Sequence, residues 1–357
     1  MPEVSAFVRA LPKVQLHCHL EGTVRAATFR ELAARYAIES ARASGPAEAT
    51  YAFANFGEFL LTFAEVCKVL RTPADYAQIA RDYVVDAADQ GVRYAEVFIS
   101  PSVWSFFHKD LDVHETVSAM QAVFDEEGAR HGLTVALICD LTRNFGVERA
   151  FATARQAVSL AEAGLGVVGI GLGGDEANYP AALYGEPFAY ARAQGLHCVA
   201  HAGEAAGPQS VRDAIDVLHA ERIGHGVTAI DDSALVDELA KRRIALELCP
   251  TSNRLTGAVP LGSEHPIGAF AARGVVCTID ADDPALFSTT LCDEYALVGE
   301  WLGENSLLGF ARNAIDASFA STERKTDLRN ELEAFSSETP DLKKSRRSGG
   351  GLKFFEA

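Results

Sequence analysis

The stretch Lys13-Val14-Gln15-Leu16-His17-Cys18-His19-Leu20-Glu21-Gly22 reads as a β-strand over Lys13 to Leu20. Side chains alternate between the two faces of a strand, so His17 and His19 share one face. Two imidazoles side by side near a strand end suit one metal ion. An isolated His-x-His pair is as often a pair of core or surface histidines, so the reading turns on whether later strands end in similar chemistry.

Working outward from this strand, β-rich runs alternate with amphipathic helical stretches. Strands are expected at Val92 to Ile99, Leu133 to Cys139, Val167 to Leu172, Leu196 to His201, Arg222 to His225, Ile244 to Leu248 and Val275 to Ile279. Helices are expected at Arg25 to Tyr36, Pro73 to Gln90, Val113 to His131, Val147 to Glu162, Pro180 to Gln194, Pro208 to Leu218, Asp232 to Arg242 and His265 to Arg273. Repeated βα units with nearly continuous apolar strands imply a parallel sheet covered by helices. Eight of them imply an α/β fold of the (β/α)8 TIM-barrel type. A doubly wound open sheet fits less well, because no glycine-rich dinucleotide loop follows the first strand.

Two further helices are expected near Thr289 to Trp301 and Asn305 to Phe319. An insertion follows the first strand, over about residues 37–72. It holds an Ala/Ser/Gly-rich piece from Ile38 to Thr50 and an aromatic helical segment from Phe53 to Leu70. Phe56, Phe59, Leu60 and Phe63 recur there at helical spacing, as core packing or as a lid over the open end of the first strand. Residues 1–335 read as a single barrel domain. Residues 336–357, rich in Ser, Lys, Arg and Gly, read as a flexible tail.

Apolar residues make up 48% of the 357, ample for a core of this size. Lys and Arg number 32 against 49 Asp and Glu, a formal net charge of −17. That balance argues against nucleic acid or an anionic membrane as partner, since both require a basic footprint. It is compatible with a neutral or cationic small molecule. The seven cysteines are scattered without a Cys-x-x-Cys, and no signal-like segment or run of 18 apolar residues occurs. The chain is therefore expected to be soluble and cytoplasmic, with reduced thiols.

Active sites of such barrels lie at the C-terminal ends of the strands, and reactive residues gather there. The first strand brings His17 and His19, the fourth Gly171 to Glu176, the fifth His201-Ala202-Gly203-Glu204, the sixth His225-Gly226, and the eighth Asp280-Ala281-Asp282-Asp283-Pro284. Each alone is weak, but five such ends together match a metal-dependent hydrolase. Three or four His and Asp ligands with an open position suit zinc, and also accept iron, manganese or cobalt. A bound metal would lower the pKa of water toward ~7. Glu204 is a candidate proton donor, His225 a candidate base for the water proton, and Asp283 a candidate hydrogen-bond partner of the substrate. The backbone of Gly173-Gly174 can approach a planar ligand closely, because no side chain intervenes.

Taken with Cys249-Pro250-Thr251-Ser252-Asn253, these motifs resemble the adenosine deaminase family of the amidohydrolase superfamily, in the right order from about Leu11 to Phe319. The resemblance implies one zinc per chain on His17, His19, His201 and Asp282. It implies that Glu204 protonates N1 of the purine, that His225 orients or deprotonates the zinc-bound water, that Asp283 meets N7 and that the Gly174 backbone meets N3. His19, Glu21, Gly174 and Asp283 are then the substrate-binding residues, and Glu204, His225 and Asp283 the catalytic ones. The implied reaction is hydrolytic deamination of adenosine or 2′-deoxyadenosine, releasing ammonia.

Adenosine deaminases typically carry Asp where this chain has Glu21, at the position expected to meet the ribose 5′ hydroxyl. Glu there is frequent in relatives acting on adenine or on modified adenosines such as aminodeoxyfutalosine, which makes an adenine or aminodeoxyfutalosine deaminase the alternative. Gly174-Asp175-Glu176 resembles the nucleoside enzymes instead. Asp280 also departs from the family pattern. A noncatalytic nucleoside-binding protein is a remote third reading, opposed by the presence of all four ligand candidates together with Glu204, His225 and Asp283.

Overall fold

The computed structural model describes residues 2–40 and 51–338. Eight parallel strands follow one another in sequence order around the sheet: β1 Lys13–Gln15, β2 Val92–Ile99, β3 Thr134–Asp140, β4 Val167–Gly171, β5 His197–Ala202, β6 Arg222–His225, β7 Ala245–Leu248 and β8 Cys277–Ile279. Beyond β8 the chain returns to the first: Asp282 N–H donates to the His17 carbonyl (3.1 Å), and His19 N–H to the Asp282 carbonyl (2.9 Å). The sheet thus closes into a (β/α)8 barrel with helices around it, as the alternation implied.

β1 stops at Gln15, short of the expected Leu20. The next two N–H groups, of Leu16 and His17, turn to the Asp280 carboxylate at 2.6 and 3.0 Å. Asp280 also accepts the Thr278 hydroxyl at 2.6 Å. Its role is therefore to join β8 to the histidine-bearing segment, which resumes pairing only as isolated bridges at Cys18 and His19.

Most helices lie where periodicity placed them. Thr72 and Asp75 form a capping box, with Pro73 in the first turn, and start helix Pro73–Asp89,. Asn55 caps helix Phe56–Val69 by accepting the Glu58 N–H,. The expected helix Pro180 to Gln194 divides into a 3-10 turn, Ala181–Tyr184, and an α-helix, Gly185–Ala193. Among the described residues, the short helix Ala6–Ala10 was not expected, nor were three that follow β2, β7 and β8: Pro101–Phe107, Pro250–Leu255 and Pro284–Phe287. Each of these three carries proline in its first turn, where the missing N–H costs nothing.

A last helix, Thr322–Glu338, buries Leu328, Leu332 and Ser336 on one face. The chain therefore stays helical through position 338, beyond the expected start of the tail at 336. The remainder of that segment, and residues 41–50 of the insertion, lie outside the described residues. Among the described residues no helix is long and apolar enough to cross a membrane. All seven cysteines are buried and unpaired.

One charged cluster is sealed in the barrel. The Arg222 guanidinium on β6 lies 2.6 Å from Glu96 of β2 and 2.5 Å from Glu247 of β7, and stacks 3.8 Å from the Phe319 ring centroid. All three charged side chains are essentially unexposed. Buried charges of this kind persist only when paired and hydrogen-bonded, and this cluster reaches the open end of the barrel through Glu247.

Candidate active site

At the C-terminal ends of the strands, one nitrogen each of His17, His19 and His201 and a carboxylate oxygen of Asp282 lie within 4.8 Å of one another. His19 Nε2 is 3.1 Å from His201 Nε2. Asp282 Oδ1 is 3.4 Å from His17 Nε2 and 3.5 Å from His19 Nε2. His17 Nε2 is buried without a hydrogen-bond partner, an arrangement that is costly unless a cation completes it. Burial, with smaller contributions from neighbouring imidazoles, pushes His19 down to about 3 and His201 well below its ordinary value. Both rings are therefore neutral, as metal ligation requires. Three imidazoles and one carboxylate with room for a further ligand fit a catalytic divalent metal of the zinc type.

The side chains behind these four set their orientation. Glu247 Oε2 lies 2.8 Å from His17 Nδ1. Burial opposes charge on His17, but Asp282 and Glu247 outweigh it and raise the ring above its ordinary value; a cation on Nε2 would take the place of the ring's second proton. Burial opposes charge on Glu247, but Arg222 and His17 outweigh it and hold its pKa below the ordinary carboxylate value. The Ser252 hydroxyl donates to Asp282 Oδ2 at 2.6 Å. Glu247→Gln removes the charge behind His17 and is expected to weaken metal affinity about 10- to 100-fold. Competition against a chromophoric chelator measures it; unchanged affinity would show that Glu247 only serves Arg222.

Asp282 (φ 60) and His225 (φ 63) adopt left-handed backbone conformations without being glycine. Such conformations cost about 1–3 kcal/mol each and concentrate at working sites. Here they turn the chain sharply at the ends of β6 and β8 and aim both side chains inward.

Above the cluster opens a cavity of about 400 Å³ whose walls include Glu204, His225, Asp283, Gly173 and Gly174. Glu204 Oε2 lies 3.5 Å from His225 Nε2. Burial first, then the charges of Asp282 and Glu176, raise Glu204 to about 8. Its loop is fixed by Glu176, whose carboxylate accepts the N–H groups of Gly203, Glu204, Ala205 and Ala206 at 2.5 to 3.0 Å. Glu176→Gln offers one acceptor oxygen in place of two and is expected to lower stability by about 1–3 kcal/mol. A thermal melt unchanged by the substitution would contradict that account.

Burial and the adjacent Asp282 push Asp283 upward. Its carboxylate sits where a Cβ at Gly22 would overlap it, which explains the glycine closing the His-Leu-Glu-Gly motif. Gly174 has φ +98, and a Cβ there would collide with the Asn144 side chain.

Glu21 is fully buried and absent from the cavity wall. Its Oε1 accepts the Ser100 N–H at 2.9 Å and the Trp104 indole N–H at 2.6 Å. Those two donors, from the short helix after β2 and its N-terminal flank, draw the longer side chain behind the wall. Glu21 thus anchors the segment that carries Ser100 to the cavity through Oε1, while its Oε2 is buried without a hydrogen-bond partner.

The aromatic insertion contributes both to the core and to the cavity wall. Phe59 is buried and stacks on Phe287 at 4.9 Å, while Phe56, Leu60 and Phe63 line the cavity. Val103, Phe106, Phe107 and Phe145 extend the apolar wall, with Asp140, Thr142 and Asn144 as its polar part. Glu247 and Asp140 escaped the sequence reading, and Glu176 entered it only as part of the fourth strand's end, without a role. The available signal for Glu247 was a lone carboxylate within the apolar strand Ala-Leu-Glu-Leu, which a buried strand tolerates only with a partner.

Chemistry of this kind belongs to metal-dependent hydrolases, and comparison with known proteins agrees. Residues 12–335 match the family model described as Adenosine deaminase; the chain belongs to that family and is a metal-dependent hydrolase. The chain is 36% identical to an aminodeoxyfutalosine deaminase of Streptomyces avermitilis, over 93% of each chain. It is 36% identical to an adenine deaminase of Rhodospirillum rubrum, over 92% of this chain and 98% of that one. A zinc-bound amidohydrolase from Burkholderia ambifaria superposes with a TM-score of 0.84 at 28% identity, covering 97% and 96% of the two chains. These curated relatives are named for aminodeoxyfutalosine and adenine, not for the adenosine first expected.

Proposed function

We propose that this protein is a zinc-dependent deaminase that hydrolyses the 6-amino group of an N9-substituted adenine of the aminodeoxyfutalosine type. The observation that carries this reading is the cavity itself. It runs from the four-residue cluster past Glu204 and Asp283 to a wall of Phe56, Leu60, Val103, Phe106 and Phe107. At about 400 Å³ it falls in the range of pockets that enclose ligands much larger than a purine,. A bare base leaves the aromatic end unfilled. A nucleoside extended by an aromatic ring would reach it.

His17, His19, His201 and Asp282 would hold the metal, which when bound supplies a Lewis-acid centre and acidifies a coordinated water. The protein's own groups handle the ring. Glu204, held protonated by burial, delivers its proton to N1 and makes C6 more electrophilic. Asp283, also pushed toward its protonated form, donates to N7. The Gly174 backbone, with no side chain between, meets the N3 edge. Oxygen adds to C6, and the amino group leaves as ammonia.

Adenine is the second reading. It is favoured by the adenine deaminases among the relatives and by Glu21, whose Oε1 is already taken by Ser100 and Trp104. Comparing kcat/KM for aminodeoxyfutalosine, adenosine, 2′-deoxyadenosine and adenine with the zinc-loaded protein tests the choice. Aminodeoxyfutalosine is expected to lead. A lead by adenine would transfer the assignment to the second reading, and a lead by adenosine would contradict the weight given to Glu21.

A further inference from the structure

We infer that a hydrogen-bond chain running from the Ile267 backbone through His265 and Asn253 fixes the tautomer of His225, placing its ring hydrogen on Nε2, so that His225 meets the attacking oxygen as a donor and not as a base. The inference rests on the deaminase reading for its consequence, but the chain of contacts stands on geometry alone.

The starting point is unambiguous, because a backbone N–H can only donate. Ile267 N lies 3.2 Å from His265 Nδ1, so Nδ1 is the accepting nitrogen. The neutral ring then carries its hydrogen on Nε2. His265 Nε2 lies 3.1 Å from Asn253 Oδ1, an acceptor. The Asn253 carboxamide is thereby oriented, and its NH2 group faces His225 Nδ1 at 3.0 Å. His225 Nδ1 accepts, and the one remaining ring hydrogen sits on Nε2, 3.5 Å from Glu204 Oε2. Reversing the Asn253 amide would set its N–H against the N–H of His265 and leave both without acceptors.

The surroundings of His265 keep its ring neutral: burial, then Arg254, pushes it down to about 3. His265 lies 5.7 Å from the Trp301 ring, nearly parallel to it, so its plane is set by packing. Asn253 is completely buried and has no bulk water to exchange with.

His225 therefore holds the oxygen that attacks C6 by donating to it. The two protons of the attacking water end on the leaving ammonia and on Glu204, whose own proton remains on N1 of the product. Asn253 and His265 touch no reacting atom; they are positioning residues, acting through His225. A wrong tautomer in an otherwise intact site is known to lower turnover by orders of magnitude.

The test is a long-range 1H–15N spectrum of the full-length, zinc-loaded protein labelled with 15N-histidine. The expected pattern for His225 is a protonated Nε2 and an unprotonated Nδ1. Asn253→Asp turns the donor into an acceptor and is expected to move the hydrogen to Nδ1, with kcat falling about tenfold or more and KM little changed. Because a buried carboxylate there could prevent folding, His265→Leu provides an independent arm. It releases the Asn253 amide and is expected to mix the two His225 tautomers, and His265→Gln, which keeps an N–H for Asn253 Oδ1, is expected to restore the single pattern. A hydrogen on Nδ1 in the unmodified protein, or a His225 pattern indifferent to His265→Leu, would overturn the inference. Failure to deaminate any 6-aminopurine would instead overturn the functional reading and leave the spectrum unaffected.

Discussion

Glu204→Gln is expected to lower kcat by about 10²- to 10⁴-fold while fold and metal content stay unchanged. The amide matches the acid in size but has no proton to give to N1. Glu204 lies outside the four-residue cluster, so metal analysis of the variant should match that of the parent. The pH profile separates this role from simple packing. A carboxyl raised to about 8 is the active acid below that value and loses its proton above it. The parent's kcat/KM should therefore decline as pH rises through about 8, and this limb should be missing from the residual activity of the variant. Ammonia release measured from pH 5 to 10 checks both points. Near-parental turnover would remove Glu204 from the role of acid.

His17→Ala is expected to abolish stoichiometric metal binding and bring activity to background. The substitution takes away one of the four converging donors and strips Glu247 of one of its two partners, Arg222 being the other. In the parent protein a metal bound at a thousand times its Kd would add about 4 kcal/mol to stability. Chelation should therefore lower the melting temperature of the parent by several degrees and leave that of His17→Ala unmoved. Elemental analysis beside thermal melts with and without chelator reads both effects. A variant retaining one metal per chain would place the metal elsewhere.

The barrel was legible because a parallel strand buried on both faces must be apolar throughout, and eight such runs recur with helices between them. The residues of the cluster were legible because the same architecture puts strand ends together. The missed groups have a common physical character. Glu247 and Glu176 act through partners distant in sequence, His17 and the Gly203 to Ala206 loop, and nothing in their own neighbourhoods marks that use. The direction of the Glu21 side chain was not legible, because it depends on Ser100 and Trp104, donors some 80 residues away. Asp280 had no sequence-level account, because its partners are backbone N–H groups of β1's continuation, which appear only once the barrel closes. The three proline-led short helices were overlooked because four to seven residues carry too little periodicity to register.

The central claim is hydrolytic removal of an exocyclic amine over the His17, His19, His201 and Asp282 cluster. A reaction of zinc-loaded protein with aminodeoxyfutalosine in 18O-labelled water tests it most directly. One ammonia per substrate consumed, with one 18O atom at C6 of the purine product, is the predicted result. Aminodeoxyfutalosine and adenine both bound but recovered intact, with no ammonia released, would contradict it and mark the barrel as a binding protein.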